Sequence, residues 1–158
     1  MGRTSFIMSF PMLRSSKFSR FLRRGPRAWG LFVRAWLTLL AADLCLRCLS
    51  FPRVERLFAP PATRSKAAAD EEAVRLRAWA VDAAARHHLW AMTCLPRALG
   101  LRWLLGRAGI PADLRIGIAR QDGQLLAHAW VERAGRPVGE QMGELSTFHP
   151  LHEVSADR

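Results

Sequence analysis

The sequence Cys94-Leu95-Pro96-Arg97-Ala98-Leu99, followed by Ala127-His128-Ala129-Trp130-Val131-Glu132 and then Gly139-Glu140, bounds the stretch whose reading decides the fold. After Cys94, apolar residues recur at helical spacing (Leu101, Leu104, Leu105, Ala108) until Gly109-Ile110-Pro111 stops them. The period then drops to two: Leu114, Ile116 and Ile118 alternate with Arg115 and Gly117. This pattern predicts a helix starting at Cys94 and a strand ending at Gln121-Asp122-Gly123. A second strand follows over Leu125 to Glu132, and a third over Arg136 to Glu140. A helix laid on three antiparallel strands is an α+β arrangement. The tail beyond Gly143 has no clear period and is read as irregular.

The residue types in this stretch suit nucleophilic chemistry. A cysteine at a helix start meets the positive end of the helix dipole and unpaired N–H groups, which favour its thiolate and can hold an oxyanion. A lone cysteine there is more often a buried core thiol, so the hairpin carries the weight. With Arg133-Ala134-Gly135 as a three-residue loop, Glu132 faces Arg136, Trp130 faces Val138 and His128 faces Glu140. An imidazole and a carboxylate set as cross-strand neighbours leave one ring nitrogen for a thiol and fix the tautomer through the other. Cys94, His128 and Glu140 are therefore the candidate nucleophile, base and orienting acid.

Outward from this core, Asp70-Glu71-Glu72 opens an earlier helix whose apolar stripe is Val74, Ala78, Val81, Ala85 and Leu89. Before it lies the linker Ala59-Pro60-Pro61-Ala62-Thr63-Arg64-Ser65-Lys66. An amphipathic helix over Trp29 to Leu49 comes earlier still, with Trp29, Phe32, Val33, Trp36, Leu37, Leu40 and Leu44 on an apolar face, which suits packing on the domain, a partner or a membrane surface, and Arg27, Arg34, Thr38 and Ala41 on the other. Arg34, Asp43 and Arg47 interrupt it too often for a membrane span, which wants about 20 mostly apolar residues. The reading is a disordered basic arm over 1–25, an amphipathic helical segment and linker over 26–65, and a catalytic domain over 66–158.

From Met1 to Ala42 there is no Asp or Glu, only Lys17 and seven arginines, and the whole chain of 158 residues carries a net charge of +11. Such a field favours acidic partners, so the basic N-terminus suits contact with a membrane surface. Three cysteines at spacings that fit no disulfide framework point to a reducing, cytoplasmic setting. Cys45-x-x-Cys48 with His87 and His88 is a poor metal set, because the cysteines sit in a Leu-rich helix and adjacent histidines diverge. No metal and no cofactor are expected.

The Cys94-to-Leu99 motif, the run Gly109-Ile110-Pro111-Ala112-Asp113-Leu114-Arg115-Ile116-Gly117-Ile118 and His128-Ala129-Trp130-Val131-Glu132 together resemble the transglutaminase-like leader peptidases of lasso-peptide biosynthesis, in their split form. The resemblance spans roughly Arg27 to Leu151. It implies a papain-like or transglutaminase-like fold and a Cys94, His128, Glu140 triad, with Ala98 where the family often has Ser and Glu140 where it usually has Asp. It implies a ribosomal precursor peptide as substrate. A separate leader-recognition protein and an ATP-dependent cyclase would be partners, and nucleic acid would not. Two other readings stay open: acyl transfer to an amine on the same triad, and a non-catalytic basic binding module.

Overall fold

The computed structural model describes residues 25–59, 71–121, 124–140, 145 and 147–154, so the expected basic arm and most of the linker lie outside the described residues. Among the described residues, four helices come in chain order: α1 (Gly25–Cys48), α2 (Phe51–Leu57), α3 (Glu71–Arg86) and α4 (Cys94–Gly106). Four strands among the described residues give the α+β fold its sheet: β1 (Asp113–Gln121), β2 (Gln124–Arg133), β3 (Arg136–Pro137) and β4 (His149–Val154). All pairings are antiparallel, in the order β3-β2-β1-β4.

The alternation read in the sequence sorts the sheet into two faces. Leu114, Ala129 and Val131 join the main core with Ala98, Leu99 and Leu105 of α4, against which β2 packs. His128 and Trp130, at the intervening positions, take the opposite face. Gly117 pairs with His128 there, and a Cβ on Gly117 would stand 2.9 Å from the Trp130 indole and 3.0 Å from the His149 carbonyl oxygen. A side chain at 117 would therefore displace the indole.

Several sequence expectations change. First, the apolar stripe of α1 is not buried as a unit: Phe32 and Trp36 pack on the core beside the buried Ala28, Ala35, Leu39 and Ala42, whereas Trp29, Val33, Leu37 and Leu44 are exposed along with Arg27, Arg34 and Ala41. The helix packs on both α3 and α4, and three alanines on that face permit the approach. Second, the turn after β2 has two residues: Arg133 pairs with Arg136 and Glu132 with Pro137. Ala134 (φ 49) and Gly135 (φ 71) are both left-handed, the backbone of a hairpin turn whose twist matches its strands. Third, the tail supplies β4, which adds a fourth strand beside β1. Fourth, α3 ends at Arg86, which leaves Leu89 beyond it and 70% exposed, and β3 stops at Pro137 short of Glu140.

Side-chain ties fix the loop that delivers α4. Asp43 of α1 accepts hydrogen bonds from Trp90 Nε1 (3.0 Å) and Arg47 Nε (2.7 Å), while Trp36 Nε1 donates to the His87 carbonyl at 3.2 Å. His88 stacks on Trp36. Asp82 of α3 is bonded by Arg97, on the first turn of α4, at 3.2 Å. The position of Cys94 is thereby set by α1 and α3 as well as by its own helix.

Candidate active site

Cys94 is the first residue of α4 and is partly buried. Thr93 precedes it in extended conformation without a side-chain cap, and no acidic residue lies in the first turn, so the leading N–H groups stay available to a negative atom. Beyond Val138, whose N–H donates to the Val131 carbonyl at 2.9 Å, the chain leaves β2. The edge of β2 at Ala129 is then met by the start of α4: the Cys94 sulfur hydrogen-bonds the Ala129 backbone.

His128 links the other two groups. Its side chain hydrogen-bonds Cys94, and its Nε2 lies 2.8 Å from Glu140 Oε2. With Nε2–H donated to the carboxylate, Nδ1 is the nitrogen left for the thiol. Trp130 stacks beside the imidazole with ring centroids 6.1 Å apart, and Phe148 approaches at 5.5 Å. Glu132, which accepts from Trp130 Nε1 at 2.8 Å and Arg115 Nε at 3.0 Å, anchors the indole in turn.

Proton affinities follow from these contacts. Burial pushes the Cys94 thiol up, but hydrogen bonds to His128 and to the backbone of Ala129 and Leu95, with the charge on His128, more than reverse it. The thiol ends below its ordinary value of 9.0. His128 is raised from 6.5 to about 9, first by its hydrogen bond to Cys94 and then by that to Glu140, against the lowering effect of burial. The two shifts favour proton transfer from sulfur to imidazole before any substrate arrives.

All three residues singled out from the sequence thus come together, though not by the register assumed for them. A two-residue turn slips β3 by one position. Glu140 meets His128 because Gly139 (φ 83) bends the chain immediately after Val138, outside the ladder. Phe148 and Gly117 are the additions of the structure. The first lies in a stretch without periodicity, and the second is legible only as a small residue inside a strand. Cys45 is partly buried and Cys48 exposed in α1; among the described residues no three His, Cys, Asp or Glu side chains group to hold a metal ion.

A family model for the transglutaminase-like superfamily matches residues 36–153, a span that holds Cys94, His128 and Glu140. No curated protein and no solved structure matches the chain.

Proposed function

We propose that this chain, which belongs to the transglutaminase-like superfamily, is a cysteine peptidase that removes the leader from a ribosomally made lasso-peptide precursor. The observation that carries the chemistry is the hydrogen-bonded series from Cys94 through His128 to Glu140 at the start of α4. The choice of substrate rests on the resemblance of the Cys94, Gly109 and His128 motifs to those of the split leader peptidases.

The steps follow from the groups present. The Cys94 thiolate attacks the scissile carbonyl, and the Cys94 backbone N–H at the head of α4 is placed to hold the oxyanion. His128, protonated and held by Glu140, gives its proton to the departing amine, which leaves with the core peptide. An acyl-enzyme remains on sulfur. Neutral His128 then takes a proton from water, the hydroxide displaces the thiolate, and the leader departs as a carboxylic acid. Phe148 and Trp130 shield one flank of the imidazole from solvent. The free thiol suits a reducing cytoplasm.

A separate recognition protein would grip the leader and raise the local concentration of the scissile bond, and an ATP-dependent cyclase would consume the freed amine. The deciding experiment incubates a lasso precursor with the full chain, with and without its recognition protein, and follows the peptides by mass spectrometry. Leader release that needs Cys94 and is accelerated by the recognition protein is expected. An amide product formed when a primary amine is added, in place of the free acid, would assign the same thiolate to acyl transfer.

A further inference from the structure

Helix α1 carries two apolar faces, one packed against the core and one largely exposed. On the inner face Ala35, Leu39 and Ala42 are fully buried against the other helices. On the outer face Trp29 is 51% exposed, Val33 48%, Leu37 54% and Leu44 46%. At about 100° per residue these four fall within roughly 80° of arc. The exposed positions Pro26, Gly30, Ala41 and Cys48 share that side, so the strip carries no charged group along its centre. Arg27 and Arg34 border it on one margin and Arg47 on the other, all three exposed.

Charge decides what covers such a strip. The segment up to Ala42 contains no acidic residue, and the first, Asp43, is buried and engaged by Arg47 and Trp90. Helix α2 exposes Leu57 together with Arg53 and Arg56. A second copy of the chain would bring the same positive margins face to face, within a net charge of +11 per molecule. Nucleic acid would gain nothing from an uncharged apolar centre. An anionic lipid surface satisfies both parts, since acyl chains take the strip and headgroup phosphates take the flanking arginines.

We infer that α1 is an in-plane membrane anchor: its Trp29, Val33, Leu37, Leu44 strip lies in the headgroup boundary of an anionic bilayer while its alanine face stays in the domain. Contrary to the expectation from its charges, the helix is long and apolar enough to cross a membrane by length and composition. Crossing, however, would strip the buried face from α3 and α4 and carry Asp43 with Arg47 into lipid. Lying flat keeps both sets of contacts.

The test is sedimentation of the full chain with vesicles of phosphatidylcholine alone and of phosphatidylcholine mixed with phosphatidylglycerol. Binding to the mixed vesicles only, weakened by salt, is expected. Leu37→Glu and, separately, Val33→Glu should each lower partitioning by about tenfold or more. Arg34→Glu should lower it by about fivefold or more. These positions are exposed, so the variants should keep the parent's circular dichroism and melting temperature, and Cys94 should alkylate as before. Equal binding to neutral vesicles would overturn the anionic part of the inference. Binding retained by Leu37→Glu but lost on deleting residues 1–24 would overturn the strip. A dimer dispersed by Leu37→Glu, without vesicle binding, would assign the strip to self-association. All these outcomes are independent of which peptide the active site cuts.

Discussion

Replacing Glu140 by Gln tests the central geometry without needing a substrate. Gln keeps the length of the side chain, so its amide oxygen can still accept from His128 Nε2 over the 2.8 Å now occupied by the carboxylate. What disappears is the charge. In the parent, His128 titrates at about 9, with the Cys94 contact as the largest cause and the Glu140 contact next. Losing the second should move the imidazole down by roughly one pH unit and, through it, raise the pKa of the thiol. The assay is the rate of Cys94 alkylation by iodoacetamide between about pH 5 and 10, read by mass mapping, with Cys45 and Cys48 as internal references. In the parent Cys94 should label well ahead of both at neutral pH. In Glu140→Gln that lead should shrink, and precursor cleavage should slow by about 10- to 10³-fold, less than a serine triad loses because thiolate and imidazolium pair in advance. Glu140→Asp retracts the carboxylate by about 1.5 Å, which breaks the hydrogen bond while keeping the charge, so it should fall between parent and Gln. An alkylation profile unchanged in Glu140→Gln would refute the reasoning, because nothing else would then tie residue 140 to the proton affinity of His128.

Other outcomes follow from single positions. Gly117→Ala places a Cβ 2.9 Å from the Trp130 ring and 3.0 Å from the His149 carbonyl, so it should lower stability by about 1–3 kcal/mol in urea and slow Cys94 alkylation through the displaced indole. Ala134→Gly should raise stability by about 1 kcal/mol, since Ala134 holds a left-handed φ of 49° that glycine adopts freely; an unchanged or lower urea midpoint would count against the two-residue turn. In Cys94→Ala the opposing titration of the thiol is gone, and Glu140 still favours the charged imidazole. A folded pKa above the unfolded 6.5 gives stability that is complete below 6.5 and is lost as the pH rises through the folded value. The melting temperature of Cys94→Ala should therefore decline over that range, and adding Glu140→Gln should flatten the decline.

What the sequence disclosed and withheld has physical reasons. The switch from helical to strand period at Gly109-Ile110-Pro111 is strong because both elements bury one face against each other, and burial is what imposes a period. Cys94 and His128 were legible as a helix start and a strand position within that pattern. In α1 the same logic failed, since both faces are apolar and hydropathy alone ranks Trp29, Val33 and Leu37 above Ala28, Ala35 and Ala42. Close packing on α3 and α4 selects for small side chains at the nearest approach, so Ala28, Ala35 and Ala42 join Leu39 there while Trp29, Val33 and Leu37 stay out. Strand β4 was hidden because its sequence, His149-Pro150-Leu151-His152-Glu153-Val154, lacks alternation, and a shift in register beside Gly117 breaks its pairing with β1.

Glu140 is the instructive case, because it reaches His128 in a register other than the one the sequence suggests. A three-residue turn needs one left-handed residue, which Gly135 supplies, but Ala134 is left-handed as well and the turn closes with two residues. Continued in regular strand geometry, the observed register would set Glu140 opposite Ala129, on the core face and away from His128. Ending β3 at Pro137 and turning at Gly139 returns the side chain to the imidazole. A carboxylate delivered by a bend beyond the ladder is not held at strand spacing, and the extra methylene of Glu over Asp gives it reach. Glu140, where the leader peptidases that the sequence resembles usually have Asp, and the early end of β3 are, on this geometry, two parts of one local solution.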